Sequence, residues 1–278
     1  MRKEGFCAYG AQVCEEIRHA IPPLERMPAE WASLTELLFR LQVCLALFQP
    51  CYPPTRIAVW KRALRRVLRA LYALELCERL IEWIGSLHVE SPYRVGVRRA
   101  QLRLNQHHQL LVQRLQQAWE RFQRAHVLNE LGGLSRRWRD SFAHEPICLE
   151  YARQRWHALV REHLPALEDT KQELEARWGR VRTLQVAGAI LEPILGESLV
   201  PEAWHHHYQQ LDAERFHLYA YRQIARLIES ERALTAHYHG HLRAFGKVRP
   251  GMEYLLQELA SASTESNLSH NQRDLGLP

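Results

Sequence analysis

The sequence predicts an all-α protein, an elongated helical bundle, and three observations carry that reading. Apolar residues recur at intervals of three and four through most of the 278 residues, the period of helices that bury one face. No stretch alternates apolar and polar residues between turn signals, as a half-buried strand does. The polar residues are dominated by Arg, Glu and Gln, which with Leu and Ala are good helix formers.

Phe6, Tyr9, Val13 and Ile17 predict a first helix to Ala20, ended by Pro22 and Pro23. A second starts near Pro28 and runs to Phe48 with Trp31, Leu34, Leu37, Leu38, Leu41 and Leu45 inward, until Pro50, Pro53 and Pro54 force a connection. The third, about Thr55 to Leu87, is the cleanest. Ile57, Trp60, Leu64, Val67, Leu71 and Leu74 form its packing face, and Arg62, Arg65 and Arg69 lie opposite. A fourth begins after Pro92 and runs without a breaker to about Leu131, roughly 55 Å at ~1.5 Å per residue. Val97, Leu104, Leu111, Leu115 and Phe122 form its stripe; Gly132 and Gly133 supply a turn before a shorter helix to Phe142.

Ile147 to Arg182 reads as a long helical region bent or broken at Pro165, and LQVAGAILEPILGESLV as a buried short helix interrupted at Pro193. A last long helix spans about Pro201 to His239, and a short one follows Pro250. The expected organisation is one domain over residues 1–260, in helical halves of about 1–145 and 146–260. Residues 261–278 lack periodicity and predict a disordered tail.

A net charge of +6 and a pI near 9.1 favour acidic partners. Lysine occurs only at positions 3, 61, 171 and 247, so the charge is carried by arginine, whose fork suits phosphate and carboxylate. The basic residues cluster on helix faces. Arg62, Arg65, Arg66 and Arg69 share the third helix; Arg94, Arg98, Arg99 and Arg103 stand in SPYRVGVRRAQLR on the fourth; Arg136, Arg137 and Arg139 follow. A rival reading pairs these arginines internally with Glu75, Glu78, Glu82, Glu90 and Glu120, or with a partner's carboxylates. Few aromatic residues accompany them, chiefly Tyr72 and Tyr93, so a phosphate polymer is favoured over single-stranded nucleic acid. No helix-turn-helix pattern points to sequence-specific DNA binding.

Six cysteines lie far apart without a Cys-x-x-Cys pair, which predicts reduced thiols in a cytoplasmic protein. MRKEGFCAYG carries no apolar run of signal-peptide length, and no stretch has the length and apolarity of a membrane span. The 16 histidines include His205 to His207 and His237, His239 and His241, yet Gly240 interrupts the second group and no acidic or thiol ligand stands at a matching spacing. Glu16 with His19, Glu202 with His205 and Glu214 with His217 have the Glu-x-x-His spacing of a di-iron site, but the last two fall on one helix. No Gly-rich phosphate loop or nucleophile motif occurs. No cofactor, metal site or catalytic residue is expected.

The string YRVGVRRAQLR resembles the signature of the CHAD family (conserved histidine α-helical domains), in which a histidine precedes an Arg-Val-x-x-Arg-Arg-x-Arg run on a helix. Arg94, Val95, Arg98 and Arg99 match it; Ser91 stands at the histidine and Gln101 at the last arginine. A second register covers roughly the first 145 residues. There YGAQV resembles the opening of cyanobacterial members, PAEWASLTELLFRLQVCLALFQP the signature helix, and LSRRWRDSF the Trp-containing helix; Ala32 takes the histidine position and Arg40 alone retains an arginine. In the second half the similarity is loose, with Arg222 and Arg226 as basic residues. The resemblance implies a divergent member with two four-helix halves around a basic channel. It also implies inorganic polyphosphate as ligand, held by Arg40, the third- and fourth-helix arginines, Arg222 and Arg226.

Overall fold

Prolines and side-chain period set most of the helix ends in the computed structural model, which describes residues 3–21, 31–142, 144–164, 173–238 and 241–274. Among these residues there are nine α-helices and no strand: α1 (Glu4–Ala20), α2 (Trp31–Leu47), α3 (Pro54–Ser86), α4 (Arg94–Arg124), α5 (Val127–Phe142), α6 (Leu149–His163), α7 (Leu174–Leu195), α8 (Glu202–His237) and α9 (His241–Asp274). The expected all-α class is therefore what the chain adopts. The expected helix start near Pro28, the break at Pro165 and His239 lie outside the described residues. Among the described residues no helix is long and apolar enough to cross a membrane.

The chain divides into two compact units, residues 1–73 with 113–212 and residues 74–112 with 213–278. Consecutive halves meeting near residue 145 are thus replaced by units interleaved in sequence, because the division falls inside α3, α4 and α8. In the first unit α1 packs on α2 and α5, α2 on α6 and α7, and α6 on α7. Phe6 meets Phe48 with ring centroids 4.8 Å apart and Tyr151 at 5.3 Å, and the Tyr9 hydroxyl donates to the Ile190 carbonyl at 2.6 Å. The second unit is a four-helix packing. Leu80 and Ile84 of α3, Val97, Ala100 and Leu104 of α4, Ala220 and Ile224 of α8, and Met252, Leu255 and Leu259 of α9 form its core.

Several expectations are corrected. The fourth helix stops at Arg124 rather than Leu131, where His126 turns the backbone with φ 50°. Gly132 and Gly133 make no turn and lie within α5. Gly132 instead faces α1, where a β-carbon would stand 3.1 Å from Arg18 Nε. No helix starts at Leu184: α7 runs unbroken through Pro193 and ends at Gly196 in the left-handed region, φ 69°. The last helix begins at His241 with Pro250 inside it and remains helical to Asp274, beyond the Ala260 limit of the periodic pattern.

Cysteine chemistry also differs from the expectation of six thiols. Cys7 of α1 and Cys51, in the 3₁₀ turn Gln49–Cys51, form a disulfide with Cα atoms 5.4 Å apart. The packing of Phe6 on Phe48 brings these two segments together, a proximity hidden by a separation of 44 residues. Cys14, Cys44, Cys77 and Cys148 are free, the first three buried.

Candidate functional site, a basic groove in the first unit

On α3, Trp60, Leu64, Val67, Leu68 and Leu71 are buried, which turns Lys61, Arg65 and Arg69 outward in a row. Residues four apart on a helix rise by about 6 Å, so the row places a cation at each turn. Trp156 and Leu159 bury one side of α6 and leave Arg155, Glu162 and His163 on its flank. These helices and α2 wall a cavity of about 680 Å³, with Gln42 and Gln49 as its neutral polar groups. A shallower cavity of about 330 Å³ adjoins it, sharing Gln42, Arg65 and Thr183 and adding Arg69, Tyr72, Glu175 and Arg180. The resulting groove carries Lys61, Arg65, Arg69, Arg155 and Arg180 against Glu162 and Glu175.

The cations differ in how firmly they are held. Arg155 donates from Nε to the Leu47 carbonyl and from Nη2 to the Ala46 carbonyl, both at 3.2 Å, satisfying the orphan carbonyls that end α2. Lys61 Nζ donates to Gln49 Oε1 at 3.2 Å, and burial draws its amine below the usual lysine range. Arg65 donates from Nε to the Lys61 carbonyl at 3.2 Å, which leaves its terminal nitrogens to the groove. Burial also lowers the His163 imidazole from its ordinary value. Its Nδ1 is buried without a hydrogen-bond partner among the described residues.

Beside the groove Arg182 is structural. Its side chain is 12% exposed, its Nη2 donates to Glu36 Oε2 at 2.6 Å and its Nη1 to the Tyr72 hydroxyl at 3.3 Å. The guanidinium also lies 4.3 Å from the Phe39 ring and 5.2 Å from Trp178, a cation–π arrangement that aligns α2, α3 and α7.

The arginines expected to act together are divided between the units. Arg40, Arg62, Arg65, Arg66 and Arg69 belong to the first; all are exposed, and Arg65 and Arg69 line the groove. Arg94, Arg98, Arg99, Arg103, Arg222 and Arg226 belong to the second. There Arg99 and Arg103 converge on Glu231, which is 4% exposed, with Arg99 Nη2 at 2.9 Å and Arg103 Nε at 2.8 Å from its Oε1. Burial opposes ionisation of Glu231, but the two arginine hydrogen bonds outweigh it and hold the carboxyl below its usual range. Arg94 donates to the Val89 carbonyl at 3.2 Å, while Arg98, Arg222 and Arg226 are exposed.

Lys61, Arg155, Arg180 and His163 were missed because attention to the arginine clusters of the third and fourth helices passed over a single lysine and the basic residues of α6 and α7. The readable signal was helical phase: Arg155 and Glu162 are seven apart on α6, hence on one flank. Among the described residues no group of three His, Cys, Asp or Glu side chains is placed to hold a metal ion. Comparisons with known proteins give no match to a family model, a curated protein or a solved structure.

Proposed function

We propose that this chain acts by binding a phosphate-rich polyanion, with inorganic polyphosphate as the ligand, and that it does so without catalysis. The observation that carries the reading is the groove of the first unit, where five cations from α3, α6 and α7 face two carboxylates. Phosphate oxygens accept charge-assisted, often bidentate, bonds from arginine, and among the described residues the terminal nitrogens of Arg65 and Arg69 have no partner. The resemblance of YRVGVRRAQLR to the CHAD signature supports the same ligand. Cytoplasmic residence belongs to this proposal. Cys14, Cys44 and Cys77 as buried thiols agree with it, and the Cys7–Cys51 disulfide speaks against it because such bonds persist in oxidising compartments.

Titration calorimetry of the full chain with inorganic polyphosphate, at low and moderate salt, tests the reading. The expected result is binding that weakens as salt rises and weakens further in Arg65→Ala with Arg69→Ala. Absence of binding at micromolar protein, or binding indifferent to both replacements, overturns it.

A further inference from the structure

The fourth helix carries two apolar stripes, and only one of them is used. Val97, Ala100, Leu104 and Leu111 are buried in the core. Val95, Leu102 and Leu110 are 54%, 50% and 52% exposed. At ~100° per residue those three fall within an arc of about 80°, so they share one outward face over four turns. Arg99 and Gln106 stand between them, and Gln109 and Arg98 flank the edge of the strip.

The charge around the strip is one-sided. From Arg94 to Trp119 there is no acidic residue. Arg99 and Arg103 are engaged by Glu231, which leaves Arg98 exposed with no hydrogen bond or ion pair among the described residues. We propose that this face of α4 docks an acidic amphipathic helix of a partner protein. Aliphatic residues of the partner cover Val95, Leu102 and Leu110, and its flanking carboxylates meet Arg98 and Arg94.

Complementarity selects this occupant over the others. A bare phosphate polymer has nothing to lay on three half-exposed aliphatic side chains, whose burial is the main gain available there. A second copy of α4 brings the same acid-free cationic face, so self-pairing sets like charge against like charge. An amphipathic helix with apolar residues at i, i+7 and i+15 fits a strip of this spacing. The strip belongs to the second unit and the groove to the first, and its test does not depend on polyphosphate binding.

The probe is a fluorescein-labelled synthetic helical peptide with leucines at that spacing and glutamates flanking them, titrated into the full chain by fluorescence anisotropy. A scrambled peptide of the same composition and vesicles containing one-third phosphatidylserine are run alongside. Saturable binding of the patterned peptide, weakened about tenfold by Leu102→Asp and a few-fold by Arg98→Ala, is expected. Arg65→Ala should leave it unchanged. Leu102→Ser, read beside circular dichroism, guards against an unfolded aspartate variant. Equal binding of the scrambled peptide, insensitivity to both Leu102 variants, no saturable binding, or Leu102-dependent binding to the vesicles instead overturns the proposal.

Discussion

Two sets of arginines with the same look in sequence have opposite standing in the structure. Arg65 and Arg69 of the first unit face a groove with their terminal nitrogens open, whereas Arg99 and Arg103 of the second unit share one buried carboxylate. Both pairs are four apart on long helices with an apolar face opposite. What separates them is Glu231, more than a hundred residues away in α8. Arginine density along a helix therefore measures capacity for anion contact, and tertiary pairing decides how much of it is available. In sequence Arg99 and Arg103 belong to one basic cluster with Arg94 and Arg98; in the structure they are a packing device.

The units also differ in covalent support, and removing it should give the largest effect. Closing a loop of 44 residues constrains the unfolded chain by up to about 4 kcal/mol in the chain-entropy account. Cys7→Ser with Cys51→Ser should lower the urea midpoint accordingly. Thiol titration of denatured, unreduced protein should count four free thiols rather than six.

Glu231→Gln comes next, because it leaves two guanidinium groups facing a neutral amide in a buried site. A loss of about 2 to 3 kcal/mol is expected, discounted because both arginines are partly exposed. The pH dependence follows from the sign of the shift. With its folded value depressed, Glu231 contributes stability that is fully present above the ordinary carboxyl range and lost as pH falls through the folded value. Unfolding followed from pH 6 downward should therefore show a shallower acid slope in Glu231→Gln. Equal slopes remove Glu231 from the stability account.

Arg182→Ala should cost about 2 kcal/mol through lost ring contacts and packing, since its partner Glu36 is exposed enough to be solvated alone. The smallest stability effect belongs to Arg65→Ala and Arg69→Ala, each within about 0.5 kcal/mol of wild type by thermal unfolding. Each should nevertheless reduce the slope of log affinity for polyphosphate against log salt by about 1. Arg99→Ala should do the reverse, moving stability and leaving that slope alone.

Helix existence was legible because burial of one face writes a period into the chain: the Ile57 to Leu74 run of α3 is buried as its spacing implies. Breaks were less legible. His126 turns the chain with no glycine or proline to announce it, while Gly132 and Pro193 look like breakers and sit inside helices. Each is decided by contacts that local propensity does not contain, such as the approach of α5 to α1 at Gly132. Arg65 and Arg69 were readable as one basic face. Their groove was not, because its other wall comes from α6 and α7, about ninety residues or more along the chain, and which faces meet is set by packing.

Arg155 gives the groove a way to report its own occupancy. Two of the five guanidinium N–H groups are given to the Ala46 and Leu47 carbonyls, and three remain for an anion. A phosphate in the cavity would bind Arg155 without stripping α2 of its cap, and would hold that side chain more firmly against the helix end. Occupancy should then slow amide exchange in the last turn of α2, a kinetic mark of the ligand at a segment that bears none of the groove's charge.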